Sequence, residues 1–190
     1  MPYALAINSY YAAGDSEDIY TPTSKLSFML SHIIVLSDTH CGSIDQLPSK
    51  VLEEIEEADL IVHAGDYTSI GLVDQLRRLK PFYGVYGNMD EVRVKSSLPP
   101  EVVIDLRGFK IGLTHPPEGG SPFGIKRRLR KRFDVKLDAI IFGHTHHSEI
   151  STDHGILFMN PGALKGSLPY SRSYIVLDIS DRLEPKIVYI

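Results

Sequence analysis

The sequence predicts an α/β domain of two packed sheets with helices outside, and three observations predict it. Short apolar runs alternate with amphipathic helical stretches through residues 32–86, as parallel strands joined by crossover helices require. From residue 101 onward, paired runs around tight turns replace that pattern, which is the signature of antiparallel hairpins. The 190 residues suit one domain, and at 43% hydrophobic and 23% charged the chain can bury a full-sized core.

Each element has its own justification. Residues 1–28 lack sustained periodicity and contain the helix-breaking Thr21-Pro22-Thr23. They are expected to form an N-terminal extension, or to precede a natural start at Met29, with residues 29–190 as a single domain. His32 to Leu36 is a buried strand running into Ser-Asp-Thr-His. Ile44, Leu47, Val51, Leu52 and Ile55 recur at helical spacing, with Glu53, Glu54, Glu56 and Glu57 on other faces. Asp59 to His63 is a second strand ending in Ala-Gly-Asp. A helix through Leu72, Val73, Leu76 and Leu79 follows and stops before Pro81. Phe82 to Tyr86 is a third strand, ending in Gly-Asn-Met-Asp. Right-handed crossovers place the C-terminal ends of these strands on one sheet edge.

In the second half, Glu101–Leu106 and Phe109–Thr114 form a hairpin that ends at His115. Ile125, Leu129 and Phe133 mark a helix, and Asp138–Phe142 is a buried strand running into Gly-His-Thr-His. Residues 150–152 and 156–159 make a second hairpin around Asp153-His154-Gly155. Residues 173–179 and 186–190 close the chain with antiparallel strands.

The charge balance narrows the function. Twenty Lys and Arg against 24 Asp and Glu leave a net charge of −4, so no global positive field draws the protein to nucleic acid or anionic lipid. No apolar run has the roughly 18 residues that a spanning helix needs, and the N-terminus lacks the basic and apolar regions of an export signal. A single cysteine, Cys41, permits no intrachain disulfide. A cytoplasmic protein with no membrane or nucleic-acid partner is expected, and a homodimer is left open.

Five strand ends deposit candidate metal ligands: Asp38 and His40, Asp66, Asn88, His115, and His144 with His146. Seven O and N donors without a thiolate suit borderline or hard divalent ions, and seven are too many for one ion but fit two. Pairs at i and i+2 can leave a strand on the same side, with Thr39 and Thr145 pointing elsewhere. Gly65, Gly87 and Gly143 precede ligands, where a missing Cβ permits close approach.

Each fragment alone is weak, but their order is specific. Asp-x-His, Gly-Asp, Gly-Asn-x-Asp, a lone His and Gly-His-Thr-His together resemble the calcineurin-like metallophosphoesterase superfamily, from about His32 to the C-terminus. The small size, Gly-Asn-Met-Asp and Asn160-Pro161-Gly162 are similar to its YfcE-type phosphodiesterase branch, to which the retromer scaffold subunit is related. The resemblance implies a four-layer αββα sandwich and a dinuclear centre, with Mn²⁺ as the first expectation and Ni²⁺, Fe²⁺, Zn²⁺ or Mg²⁺ as alternatives. It implies one ion on Asp38, His40, Asp66 and His146, and another on Asp66, Asn88, His115 and His144. Asp66 would bridge together with a hydroxide, and the catalytic set would be Asp66, Asn88 and His115. The implied substrate is a small phosphodiester; a silent protein-interaction scaffold is the alternative, and a nuclease a third.

Met89 departs from the family, where a histidine after Gly-Asn often protonates the leaving group. A thioether cannot donate a proton, which favours diesters with good leaving groups, or an acid elsewhere, for which Asp90 and His147 are the candidates. Ala163 replaces a frequent serine. Other residues have plainer readings. His63 is structural, His32, His147 and His154 are strand or surface histidines, and Cys41 is a small buried thiol. The basic run Lys126 to Arg132 is the solvated face of a helix, or alternatively a local attractor for a phosphate-rich substrate.

Overall fold

The computed structural model describes residues 19–20, 30–116, 124–166 and 168–190. Two mixed sheets pack face to face. The first has six strands: β1 (Ile19–Tyr20), β5 (Glu101–Leu106), β6 (Phe109–Thr114), β7 (Ala139–Phe142), β9 (Ile156–Asn160) and β8 (Glu149–Asp153), in that spatial order. The second runs β11 (Leu183–Tyr189), β10 (Ser173–Ile179), β2 (His32–Leu36), β3 (Leu60–His63) and β4 (Phe82–Gly84). As expected from the strand–helix repeats, β2, β3 and β4 are parallel. The expected hairpins β5–β6 and β8–β9 are antiparallel, and so is β10 with both β2 and β11. Parallel pairing of β7 with β6 and β9 completes the first sheet.

Strand alternation builds the layers. Ile33 and Val35 of β2, Leu60 and Val62 of β3, and Ile175 and Leu177 of β10 point into the inter-sheet core, where Ile104, Ile111, Ile141 and Met159 meet them. Their neighbours Ile34, Leu36, Ile61, Tyr174 and Val176 face the other way, against α1 (Ser49–Glu57), α2 (Ile70–Leu79) and α3 (Val92–Ser97). On the far side, Ile140, Phe142 and Phe158 pack beneath Leu129 of α4 (Ile125–Arg130) and Leu137. The result is the αββα order, with a thin fourth layer.

Several boundaries differ from the sequence reading, among them the last strand, which begins at Leu183, and the helix marked by Ile125, Leu129 and Phe133, which ends at Arg130. The periodic stretch 44–55 divides into a 3-10 turn, Ile44–Gln46, and α1, because the ring of Pro48 cannot continue a helix and instead caps the next one. β4 ends at Gly84, before Val85 and Tyr86. α3 has no clear apolar period and is anchored by one buried residue, Val94. β11 carries Pro185 and Lys186 on the sheet edge, where a missing N–H costs no ladder bond. Of the expected N-terminal extension, Ile19–Tyr20 pairs in parallel with β5; the rest of 1–28, and Met29, lie outside the described residues.

Candidate metal centre

All seven candidate ligands come together at the C-terminal ends of β2, β3, β4, β6 and β7. Contacts link them in a chain. Asp38 Oδ1 lies 3.1 Å from His146 Nε2 and 3.8 Å from His40 Nε2. Asp66 Oδ2 lies 3.9 Å from His40 Nε2 and 3.5 Å from His115 Nε2. Asn88 Oδ1 lies 3.1 Å from His115 Nε2 and 2.9 Å from His144 Nδ1. Two tight groupings stand out, Asp38–His40–His146 and Asp38–Asp66–His115. Asp66 touches both halves, and Asn88 and His144 extend the second.

The loops reach this arrangement by an unusual backbone. Asp38, His40, Asp66, His144 and His146 all have positive φ, between 45° and 77°. Left-handed conformations are uncommon for residues with side chains and mark sites where the surroundings impose them. Convergence of the i, i+2 pairs therefore comes from left-handed turns after the strands, not from strand alternation alone. Main-chain bonds from Asp38 N to Gly65 O and from His40 N to Asp66 O, each 3.0 Å, tie the β2 and β3 loops together.

The glycines serve the ligands themselves. A Cβ on Gly87 would sit 2.1 Å from Asp66 Oδ1, and one on Gly143 would sit 2.0 Å from Ser37 Oγ and 2.9 Å from His115 Nδ1. Gly65, at φ +96°, similarly leaves room for the His115 ring.

A surrounding set of polar residues orients the donors. His115 Nδ1 donates to Ala64 O at 2.6 Å, which leaves Nε2 as the lone-pair nitrogen facing Asp66 and Asn88. Ser37 Oγ and His144 N both donate to Asp38 Oδ2, and Met89 N donates to Asp66 Oδ1 at 2.8 Å. Asp90 accepts from the amides of Asp66, Thr68 and Gly87. This makes it a buried tie between two ligand loops, with both oxygens accepting from amides; burial raises its carboxyl against those three hydrogen bonds. Asn160 donates to Thr145 Oγ1 and bears on the His144–His146 loop. The intervening threonines do point elsewhere, Thr145 to Asn160 and Thr39 to His63.

His63 is structural, as the sequence suggests. It is fully buried, stacked on Tyr67 at 3.8 Å, and accepts at Nδ1 from Gly65 N. Burial pushes its imidazole down to about 3, so it stays neutral and donates from Nε2 to Thr39. Cys41 is half-buried, and burial raises its thiol, as suits an inert side chain. His147 and His154 are exposed. Met89 is 60% exposed at the rim, and Ala163 is buried. Sequence reasoning assigned no orienting role to Ser37, Asp90 or Asn160; the available signal was that Ser37 precedes Asp38, Asp90 closes Gly-Asn-Met-Asp and Asn160 opens Asn160-Pro161-Gly162.

The electrostatics favour a cation. Asp38 and Asp66 are both buried, and among the described residues only imidazoles form ion pairs with them. Burial alone would raise both carboxyls, but the neighbouring imidazoles outweigh it and hold both below the usual range. Burial opposes charge on His115 as well, yet Asp66 and Asp38 raise it. His146 is raised by its contact with Asp38, whereas burial lowers His40 and His144. Asp38 Oδ1 is buried without a hydrogen bond of acceptable geometry, despite the nearby His146. Lone-pair atoms facing one another around buried carboxylates need a shared positive charge. This donor set therefore fits divalent metal binding.

Comparison with known proteins agrees. Residues 32–182 match the family model of the calcineurin-like phosphoesterase superfamily domain. A probable metallophosphoesterase of Methanocaldococcus jannaschii is 33% identical over 158 residues, covering 81% of this chain and 79% of its own. A phosphodiesterase of the same organism is 26% identical over 170 residues, covering 81% and 96%. Among solved structures, a Thermotoga maritima protein superposes with TM-score 0.69 at 34% identity, covering 85% of this chain and all of its own. Zinc-complexed Vps29 of Entamoeba histolytica has the same fold, with TM-score 0.65 at 23% identity, covering 83% and 98%.

Proposed function

The chain belongs to the calcineurin-like phosphoesterase superfamily, and from that premise we propose that it is a divalent-metal-dependent phosphodiesterase with a two-ion centre, Mn²⁺ first. The observation that carries the reading is the pair of buried carboxylates, Asp38 and Asp66, ringed by Asn88 and four imidazoles, with no other cation paired to them among the described residues. Asp38, His40, Asp66 and His146 would hold one ion, and Asp66, Asn88, His115 and His144 the other. Such ions supply Lewis acidity, bringing the ionisation of water near neutral pH and neutralising charge on phosphoryl oxygens.

The chain's own residues do the rest. Ala64 O keeps His115 in the tautomer whose Nε2 faces the pocket. Asn88 turns its Oδ1 to His115 and His144, which leaves its amide nitrogen as a donor for a substrate oxygen. Asp66 is pinned by the Met89 amide while the Met89 thioether offers no proton. That chemistry favours diesters with good leaving groups over monoesters. The Vps29 fold neighbours lend support to the scaffold alternative.

The test is elemental analysis of the purified protein together with hydrolysis of bis(p-nitrophenyl) phosphate and p-nitrophenyl phosphate in Mn²⁺. Diester turnover lost in Asp66→Ala is expected. No turnover, with Asp66→Ala indistinguishable in metal content, would leave the scaffold reading.

A further inference from the structure

A cleft of about 940 Å³ borders the donor set at His144, which lines it. The basic helix α4 forms one wall, and His147 and Tyr170 stand in the same cleft with ring centroids 5.2 Å apart. The run 126–132 divides by partner here. Lys126 is paired to Glu149 at 2.7 Å, and Arg130 to Asp153 at 2.5 Å, so both cations serve to fasten α4 to β8. Arg127 also lines the cleft, but it has no ion pair or hydrogen bond among the described residues. With Lys126 and Arg130 paired to carboxylates, the Arg127 guanidinium is the lining cation left without a counter-charge among the described residues.

We propose that this cleft seats the organic part of the substrate, that Arg127 binds a second anionic group carried there, and that Tyr170 with His147 packs against a planar ring. The inference rests on the phosphoesterase reading and deepens it: the natural substrate is a phosphodiester whose organic group bears a further phosphate or carboxylate. A guanidinium presents a planar fork of donors to such a group, and a charge-assisted pair of this kind is the strong, geometrically selective sort.

The test uses a matched pair of substrates, the p-nitrophenyl esters of thymidine 5′-phosphate with and without a 3′-phosphate. In the wild-type protein the added phosphate should lower KM about tenfold. Arg127→Gln should bring that ratio close to one, while Lys131→Gln, which removes the same charge outside the cleft, should keep it. A second readout is independent of turnover: calorimetric binding of thymidine 3′,5′-bisphosphate and thymidine 5′-phosphate to metal-free protein should show the same preference, and the same loss in Arg127→Gln. If both esters are hydrolysed but the ratio is near one, or survives Arg127→Gln, the cleft assignment is wrong and the phosphodiesterase reading stands. If neither ester is hydrolysed while bisphosphate is still preferred through Arg127, the catalytic reading fails and the anion site stands. Loss of both turnover and preference overturns both.

Discussion

Replacing Gly143 by alanine would place a Cβ 2.0 Å from Ser37 Oγ, 2.8 Å from Ala64 O and 2.9 Å from His115 Nδ1. Ordinary van der Waals separation is about 3.5 Å, so the loop must retreat by about 1 Å or more. Ser37 can rotate aside. Ala64 O and His115 Nδ1 cannot, because they are bonded to each other at 2.6 Å across the same spot. Overpacking together with a weakened buried hydrogen bond should destabilise the metal-free protein by about 2–4 kcal/mol in urea unfolding. Because His115 loses its orienting partner, metal affinity should fall about 10–100-fold. Ser37→Ala in the same chain should not rescue it. Gly108→Ala is the comparison. Gly108 has φ +88° with open space around it, so alanine should cost only about 1–2 kcal/mol of left-handed backbone strain and leave metal affinity alone. A Gly143→Ala protein within about 0.5 kcal/mol of wild type, with unchanged metal affinity, would refute the steric reasoning.

Other perturbations separate the roles assigned above. Asp90→Ala strips the acceptor from three amides and should cost about 3–5 kcal/mol in urea unfolding, with Asp90→Asn milder. Asn160→Ala frees Thr145 and strips the acceptor from the buried Gly162 amide, so it should weaken metal binding about tenfold by calorimetry and cost about 1–3 kcal/mol in urea unfolding. Met89→His places an imidazole at the exposed rim and should raise monoester relative to diester turnover, most clearly below neutral pH. His32, between Asp178 at 2.6 Å and Glu54 at 3.0 Å, is raised above the ordinary imidazole range by the Asp178 hydrogen bond, against an opposing burial effect. Its ion-pair contribution is thus complete below its unfolded value, about 6.5, and is lost as pH rises through the higher folded one. The stability difference between wild type and His32→Gln, measured metal-free, should shrink with rising pH across that window; growth would contradict it.

The amino-acid order by itself determined the strand–helix rhythm of β2 to β4, the hairpins β5–β6 and β8–β9, and which seven candidate ligands would lie at the strand ends. These are local signals: apolar period, turn residues, and polar residues placed just after buried strands. It could not foresee α3, because a helix of six residues with one buried side chain, Val94, has no period to read. Nor could it reveal that Asp90 ties down the amides of Asp66, Thr68 and Gly87, since a carboxylate that accepts backbone donors and one that donates a proton look alike in a string of letters.

Only the tertiary structure decided how donors from two sheets share one space. Sequence places Asp38 and His144 106 positions apart, and packing alone brings a carboxylate oxygen within 3.1 Å of an amide. Packing also decided that five donors would turn through left-handed backbone, a conformation that the surrounding hydrogen bonds impose and no local propensity supplies. The basic run shows the same division: composition marks its charge, but only the positions of Glu149 and Asp153 show that, of the three cations lining the cleft, Lys126 and Arg130 are paired while Arg127 has no such partner among the described residues.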